Sequence, residues 1–294
     1  MAKEKIKDIN FQNFPKHENK EVRNIITCPE NHLIVSFDYA QLEARILAMA
    51  SKDKVFCKAI WDKSDTHTKW ANCLIKLYPQ ILPTIDKGRD LEEAKLKKEL
   101  RNDIKNHLVF AGFYGSGKAT ITNYYNQTYG VPNDIMEQIY NDFWRTYSDV
   151  KTWQKGMVDF YNKKGYVESL TGRRRRAPLT YNEIINFPIQ SSASYDICIV
   201  VGDRLSELAY TLTKPQYQYI ICIHDDLTFY LPIATIKEDI LFIGREMVNP
   251  IYKWITVPLE VEYSIGRNWG AMEEAGKIDT TMFWKYSNNK WELK

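Results

Sequence analysis

The chain lacks several features that would fix its class at once. No apolar run approaches the ~18 residues that a membrane helix needs. Behind the charged start Met-Ala-Lys-Glu-Lys-Ile-Lys there is no apolar stretch of the kind found in a secretory leader. Cysteine is scarce and odd in number. The five, Cys28, Cys57, Cys73, Cys198 and Cys222, include no CxxC pair. That argues against a disulfide scaffold or a zinc ribbon and favours a reducing compartment. Charge of one sign is missing too. Lys and Arg total 40 against 37 Asp and Glu, a net charge of +3. So small an excess neither requires nor excludes a nucleic-acid partner, and any electrostatic argument has to rest on where the charges sit. There is no internal repeat and no low-complexity linker. These absences lead to the expectation of a soluble, cytoplasmic protein with no membrane partner.

What remains is an ordinary globular mix. The 294 residues are 44% hydrophobic, 26% charged and 13% aromatic. That suffices for a sizeable core and excludes disorder over most of the chain. The length fits one large domain or two modest ones. Along the chain, His32-Leu-Ile-Val-Ser-Phe-Asp38 is a β-prone run ending in an acid, and residues 40–50 have helical spacing. Short helical pieces, broken at Pro79 and Pro83, fill residues 51–90. A long helix is expected over about 90–113, with Leu100, Ile104, Leu108 and Ala111 on one face and Arg101 with Lys105 on another. A second long helix is expected over 133–163, a hairpin from Gly165, and a helix over 191–208. Two β-rich runs then flank Asp225 and Asp226, followed by a helix over 237–254 and a strand over 257–265. This order predicts an α+β fold with a helical insertion in a sheet domain.

The acids are the first candidate chemistry. Asp38 ends one apolar strand, and Asp225 and Asp226 sit between two others. A charge in such a place is costly unless a cation offsets it. Two divalent ions bridged by such carboxylates would do so and could drive phosphoryl transfer. Mg²⁺ needs only one or two carboxylates, because phosphates and water complete its shell. The alternative is local: Asp38 as a helix cap and Asp225-Asp226 as a hairpin turn. The second candidate is the pair Arg101 and Lys105. One helical turn apart, they offer two cations to one anionic ligand, whereas Lys95, Lys97 and Lys98 read as a solvated face. The run Arg173-Arg-Arg-Arg176 is the densest positive segment and suits contact with a phosphate backbone. Two other motifs mislead. Gly112-Phe-Tyr-Gly-Ser-Gly117-Lys118 approaches a P-loop, but Ala119 lacks the required hydroxyl and no strand precedes it. His67, Cys57 and Cys73 have no regular zinc spacing.

In chain order, the motifs resemble those of family A DNA polymerases. Asp38-Tyr-Ala-Gln-Leu-Glu-Ala-Arg45 is similar to that family's motif A. Arg101-x-x-x-Lys105, running on to Phe113-Tyr114-Gly115, is similar to motif B, and Ile223-His224-Asp225-Asp226 to motif C. Gly165-Tyr-Val-Glu-Ser-Leu-Thr-Gly-Arg-Arg174, Asn186-Phe-Pro-Ile-Gln190, Asp65-Thr-His-Thr68, Phe11-Gln-Asn-Phe-Pro15 and Gly266-Arg-Asn-Trp269 also match, so the resemblance runs from about residue 11 to 270.

The resemblance implies template-directed DNA synthesis on a primer-template with dNTPs, catalysed with two Mg²⁺ ions. A palm would comprise 1–50 and 165–271, with inserted helical fingers over 51–164 and a C-terminal tail over 272–294. Asp38, Asp225 and the Tyr39 carbonyl would be metal ligands, with Asp226 and Lys105 also catalytic. Arg101, Lys105, Phe110, Tyr114, Gln41 and Glu43 would bind the nucleotide, Glu43 as a gate against the ribose 2′-hydroxyl. Arg45, Arg173, Arg174, Asn186, Gln190 and His224 would face DNA. Three departures stand out. Asp226 replaces the usual Glu, and Lys16 and His17 stand near the place of an arginine. In motif B, an ungapped register puts Val109 and Phe113 where aromatics belong, one residue before Phe110 and Tyr114; a π-bulge would bring the latter pair onto the ligand face. The match starts so early that thumb and exonuclease are expected from a second chain. Two other readings stay open: a single-subunit-type RNA polymerase, which Glu43 opposes, and a non-catalytic module derived from a polymerase.

Overall fold

The computed structural model describes residues 20–176, 178–211 and 217–294. The Phe11–Pro15 motif, Lys16 and His17 lie outside them. A 3-10 turn (Lys20–Ile25) leads into β1 (His32–Tyr39). Helices α1 (Leu42–Ser51), α2 (Lys54–Trp61), α3 (Thr66–Leu77), α4 (Ile81–Asp86) and α5 (Glu93–Ile104) follow. A π-helical segment, Lys105–Phe110, carries α5 into the short α6 (Ala111–Phe113). Next come α7 (Lys118–Tyr129), α8 (Asn133–Thr146), α9 (Ser148–Lys164), the hairpin of β2 (Tyr166–Glu168) and β3 (Arg174–Arg176), and α10 (Tyr181–Ser191). A second π segment, Ser192–Ile199, leads into α11 (Val200–Thr211). The chain finishes with β4 (Gln218–Ile223), β5 (Asp226–Pro232), α12 (Ile236–Met247), β6 (Glu260–Gly266), β7 (Glu273–Asp279), β8 (Trp284–Ser287) and β9 (Lys290–Leu293).

Two compact units result. One holds the described residues up to Ala44 together with Ser191–Lys294; the other is Arg45–Gln190. In the first, five strands form an antiparallel sheet in the order β4-β5-β1-β6-β7. Alternation along β1 sends Val35 and Phe37 to one face, where Leu227, Phe229, Leu231 and Val261 join them at 0% exposure. Each such side chain contributes about 1.5–3 kcal/mol through burial. Helices α11 and α12 pack onto strands of this sheet. The opposite face carries Ile34, Ser36 and Asp38: apolar at one end, where Ile34 packs with Ile223 and Trp269, and polar at the other. The sheet therefore delivers an acid to a strand end above a packed core.

The second unit is helical around an aromatic core. Phe113 lies 5.0 Å from Phe56, 5.2 Å from Phe143 and 5.4 Å from Tyr147, ring centre to ring centre. Asp53 caps α2 by accepting from Phe56 N at 2.9 Å, and its other oxygen accepts from Asp149 N at 3.2 Å.

The α+β class with an antiparallel sheet agrees with the sequence reading; several details differ. Pro83 does not break a helix: it is the third residue of α4, where a missing N–H costs no intrahelical bond. The helix expected over 133–163 is two, divided at Tyr147 (φ −109°, ψ 50°), whose ring is buried in the aromatic core. Helix α12 stops at Met247 rather than 254, because Asn249 precedes Pro250 and cannot comfortably be helical. Residues 165–190 cluster with the helical unit, not with the sheet. The expected tail, 272–294, is integral. Its strand β7 extends the sheet, Ile278 is buried, and Thr280 donates to the Val248 carbonyl at 2.9 Å. Finally, Tyr181–Thr211 is one helical run of 31 residues, long and apolar enough to cross a membrane by length and composition, although scattered polar residues hide it from a run-length search. Its most apolar window is 61% buried inside the protein, as a core helix would be.

Candidate active site

The acids come together through strand register. Asp38 on β1 is the Cα partner of Asp226 on β5 and of Glu262 on β6, so the three occupy one row on one face. Lys277 on β7 is the next partner and pairs with Glu262. One step along, Ser36 faces Thr228 and Ser264. Two of these hydroxyls serve Asp226: Ser36 Oγ donates to its Oδ1 in a short bond, and Thr228 Oγ1 donates to the same oxygen at 3.0 Å. Arg23, 8% exposed, stacks 4.1 Å from the Trp269 ring centre. Burial lowers the Arg23 pKa, and the Asp226 charge opposes that shift. A cleft of about 340 Å³ opens here, lined by Arg23, Asp38, Asp226, Glu262, Ser264 and Trp269 among others.

Asp225 belongs to the turn. Ile223 and Asp226 are paired, so His224 and Asp225 form a two-residue hairpin loop, with His224 left-handed at φ 57°. The Asp225 carbonyl accepts from Tyr39 N at 3.1 Å, which ties this turn to the end of β1. Tyr39 points to the buried side, where its hydroxyl donates to the Met247 carbonyl at 2.7 Å. Burial first, then Cys198, Cys222 and Asp225, raise this phenol well above its usual range, so it stays a neutral donor. Asp38 is a strand residue, not a helix cap: α1 starts at Leu42, after Gln41 in a left-handed conformation (φ 53°). Among the described residues no three His, Cys, Asp or Glu side chains are grouped closely enough to hold an ion unaided. The available set is the hard oxygens of Asp38 and the Asp225-Asp226 pair, which fits Mg²⁺ completed by phosphate and water and does not fit zinc.

In the helical unit, a strip of functional side chains follows α5 into the π segment. Arg101 Nε donates to Asp65 Oδ2 at 2.5 Å. Lys105 Nζ lies 5.4 Å from the Phe110 ring centre, and Phe110 is 5.8 Å from Tyr114. Val109 and Phe113 are instead buried, at 1% and 2% exposure. The wide π turn over Lys105–Phe110 thus leaves Phe110 and Tyr114 on the strip and sends their neighbours to the core. His67 joins the strip, edge-on to Phe110 at 5.7 Å. It is 3% exposed, and neither ring nitrogen has a hydrogen-bond partner among the described residues. Burial, then Arg101 and Lys105, press its pKa down to about 4, so the ring is neutral. Burial opposes ionisation of Asp65, yet hydrogen bonds from Arg101 and Thr68 hold it down to about 2. The same carboxylate caps α3 through His67 N and Thr68 N.

Other candidates are spread more widely. Glu43 and Arg45 are half-buried on α1. Asn186 on α10 donates to the Tyr114 carbonyl at 3.5 Å, which brings it against the end of motif B, while Gln190 and His224 are exposed. Arg173 to Arg176 are exposed, but Arg174 pairs with Glu168 at 2.6 Å and Arg175 with Glu183 at 2.5 Å, so local acids offset part of the run's charge. Lys118 of the P-loop-like stretch pairs with Glu137. Arg23, Ser36, Thr228 and His67 were not picked out from the sequence as site residues. The signal was present for two of them: Ser36 and Thr228 stand two residues from Asp38 and Asp226, hence on the same sheet face.

The sequence profile of DNA polymerase family A matches residues 5–271. The chain belongs to this family. It is 23% identical over 284 residues to the thermostable DNA polymerase I of Thermus aquaticus, covering 91% of this chain and 31% of that protein. It is 25% identical to DNA polymerase I of Lactococcus lactis over 89% of this chain and 29% of the relative. With DNA polymerase theta of Drosophila melanogaster the identity is 25% over 83% of this chain and 12% of the relative. The chain therefore spans about a third, or less, of these proteins. Its fold is similar to the polymerase domain of Pol1 from M. smegmatis, solved in complex with a DNA primer-template and dNTP, with a TM-score of 0.69 and 22% identity over 89% of this chain and 45% of that one.

Proposed function

We propose that these residues form the catalytic core of a DNA-directed DNA polymerase, with the sheet unit as palm and Arg45–Gln190 as fingers. The observation that carries the reading is the strand register that sets Asp38 opposite Asp226 and beside the Asp225 turn, in a chain of family A. Asp38, Asp225 and the Tyr39 carbonyl would hold two Mg²⁺ ions. When bound, those ions supply activation of the primer 3′-hydroxyl and stabilisation of the leaving oxygen. The chain's own groups do the rest by positioning and charge. Arg101 and Lys105 neutralise the triphosphate, and buried, neutral His67 packs beside them without adding charge. Phe110 and Tyr114 offer ring faces to the sugar and base. Glu43, with Gln41 before it, occupies the space of a 2′-hydroxyl. Asp226, already bonded to Ser36 and Thr228, serves mainly to hold the Asp225 turn in place. Arg45, Asn186, Gln190, His224, Arg173 and Arg174 face the primer-template, the first four toward its strands and the last two toward phosphate. Grip on the duplex would come from beyond these residues, through more polypeptide or a second chain, which native mass spectrometry of the protein from its source distinguishes.

The test is Mg²⁺-dependent primer extension on a defined template. Wild type should incorporate dNTPs in template order and reject rNTPs. Asp38→Ala should abolish incorporation, and Glu43→Ala should admit rNTPs. Incorporation by Asp38→Ala at the wild-type rate would sink the two-metal reading, and unchanged rNTP rejection by Glu43→Ala would remove the gate.

A further inference from the structure

We propose that Asp103 is a positioning residue: anchored by tyrosine hydroxyls of α7, its carboxylate fixes the winding of the π segment and so keeps Lys105 and Phe110 on the strip that meets the nucleotide. The proposal rests on the nucleotide-binding reading of that strip. Asp103 stands two residues from both Arg101 and Lys105, so it points about 200° around the helix from each. It cannot join their cluster; it faces α7. There its Oδ1 accepts from Tyr124 Oη at 2.6 Å and from Tyr129 Oη at 3.0 Å. Its Oδ2 and the Tyr125 hydroxyl are both buried, and that burial, then the nearby Asp103 charge, raises the Tyr125 phenol.

The anchor reaches into the π segment as well. His107, its third residue, lies flat against Tyr124, with ring centres 3.8 Å apart and planes 13° from parallel. Tyr124 meets Tyr125 and Tyr129 edge to face. Burial and then Asp103 push the Tyr124 phenol up to about 12 and raise Tyr125 and Tyr129 further, so all three keep their protons and remain donors. The π geometry is intrinsically less favourable than α and needs tertiary support. Asp103 sits at the point where one gives way to the other: α5 ends at Ile104 and the π segment starts at Lys105. Two charge-assisted hydrogen bonds at that joint hold the phase of everything after it.

The experiment compares wild type, Asp103→Ala, Asp103→Asn and Tyr129→Phe in the full chain. It reads amide hydrogen exchange over residues 105–114 and single-nucleotide incorporation. Asp103→Ala should raise exchange in that segment. It should also raise KM for dNTP about tenfold, less than the two lost charge-assisted bonds are worth because part of that cost falls on stability, while kcat stays within about twofold and primer-template affinity is unchanged. Asp103→Asn retains a carbonyl acceptor and should recover most of the loss. A folded Asp103→Ala protein with unchanged exchange, or with raised exchange but unchanged KM, overturns the proposal. If that variant does not fold, Tyr129→Phe, which keeps the Tyr124 bond, is judged by the same two readouts. If wild type itself incorporates no dNTP, the nucleotide reading fails, and the exchange result alone upholds or removes the anchor.

Discussion

The two units position their candidate groups by different rules. In the sheet unit, Asp38, Asp226 and Glu262 share a row because strand pairing allows no intermediate: a side chain lies on one face or the other. In the helical unit, Arg101, Lys105, Phe110 and Tyr114 share a strip only because the helix widens by one residue on the way. A helix has no fixed faces, and each extra residue turns everything beyond it by about 100°. The sheet site is therefore robust to local winding and sensitive to register. The helix site is the reverse, and needs the aromatic core on one side and α7 on the other to hold its phase.

The sharpest break of the comparison lies in the sheet turn. Asp225→Ala should cut the incorporation rate on the order of 10³-fold if that carboxylate meets metal. Asp226→Ala should cost far less in rate and should instead lower stability, since it removes an acceptor shared by two hydroxyls. Equal losses of rate in the two variants would assign both carboxylates to catalysis. On the helix, Lys105→Ala should lower kcat/KM for dNTP about 10²-fold, the equivalent of a lost charge-assisted contact in the transition state, whereas Lys98→Ala on the solvated face should change it little.

A smaller effect in the helical unit is read through pH. Burial beside Arg101 and Lys105 depresses the His67 pKa to about 4, from an ordinary value near 6.5. The unfolded chain therefore binds a proton between those values that the folded chain does not, and stability falls as pH drops from about 6.5 to 4, by about 3 kcal/mol in all. Melting temperatures of wild type and His67→Phe across that range check it: the slope should flatten in the variant. Asp65 acts lower. Its folded pKa is depressed to about 2, so the stability it adds through Arg101 is present above about pH 4 and is lost as pH falls toward 2. The least effect is expected from deleting Asn106, an exposed residue of the π segment. Deletion would return Lys105 and Phe110 to α spacing, with the melting temperature within a few degrees of wild type and KM for dNTP within about threefold. Loss of folding on deletion would mean that the extra residue is built into the core and not merely accommodated.

Sequence by itself determined the family, the α+β class and the identity of the charged groups. Motif spacing survives divergence to about a quarter identity, and alternation or helical periodicity shows which face a residue takes within its own element. It also exposed the one-residue excess in motif B, because counting from Lys105 needs no structure. Only the tertiary structure decided what surrounds those groups. Nothing near Ser36 in the chain announces that its hydroxyl serves Asp226 as well as lying beside Asp38, since Ser36 is 190 residues from Asp226 and only strand pairing joins them. Nothing near Asp103 announces Tyr124 and Tyr129, nor does the spacing of α8 and α9 reveal the break at Tyr147, which exists because its ring fills a core made by other helices. Local pattern records the preference of one element, whereas hydrogen-bond partners, burial and helix phase are set by elements distant in sequence. For that reason the polar groups were legible as residues but not as a network.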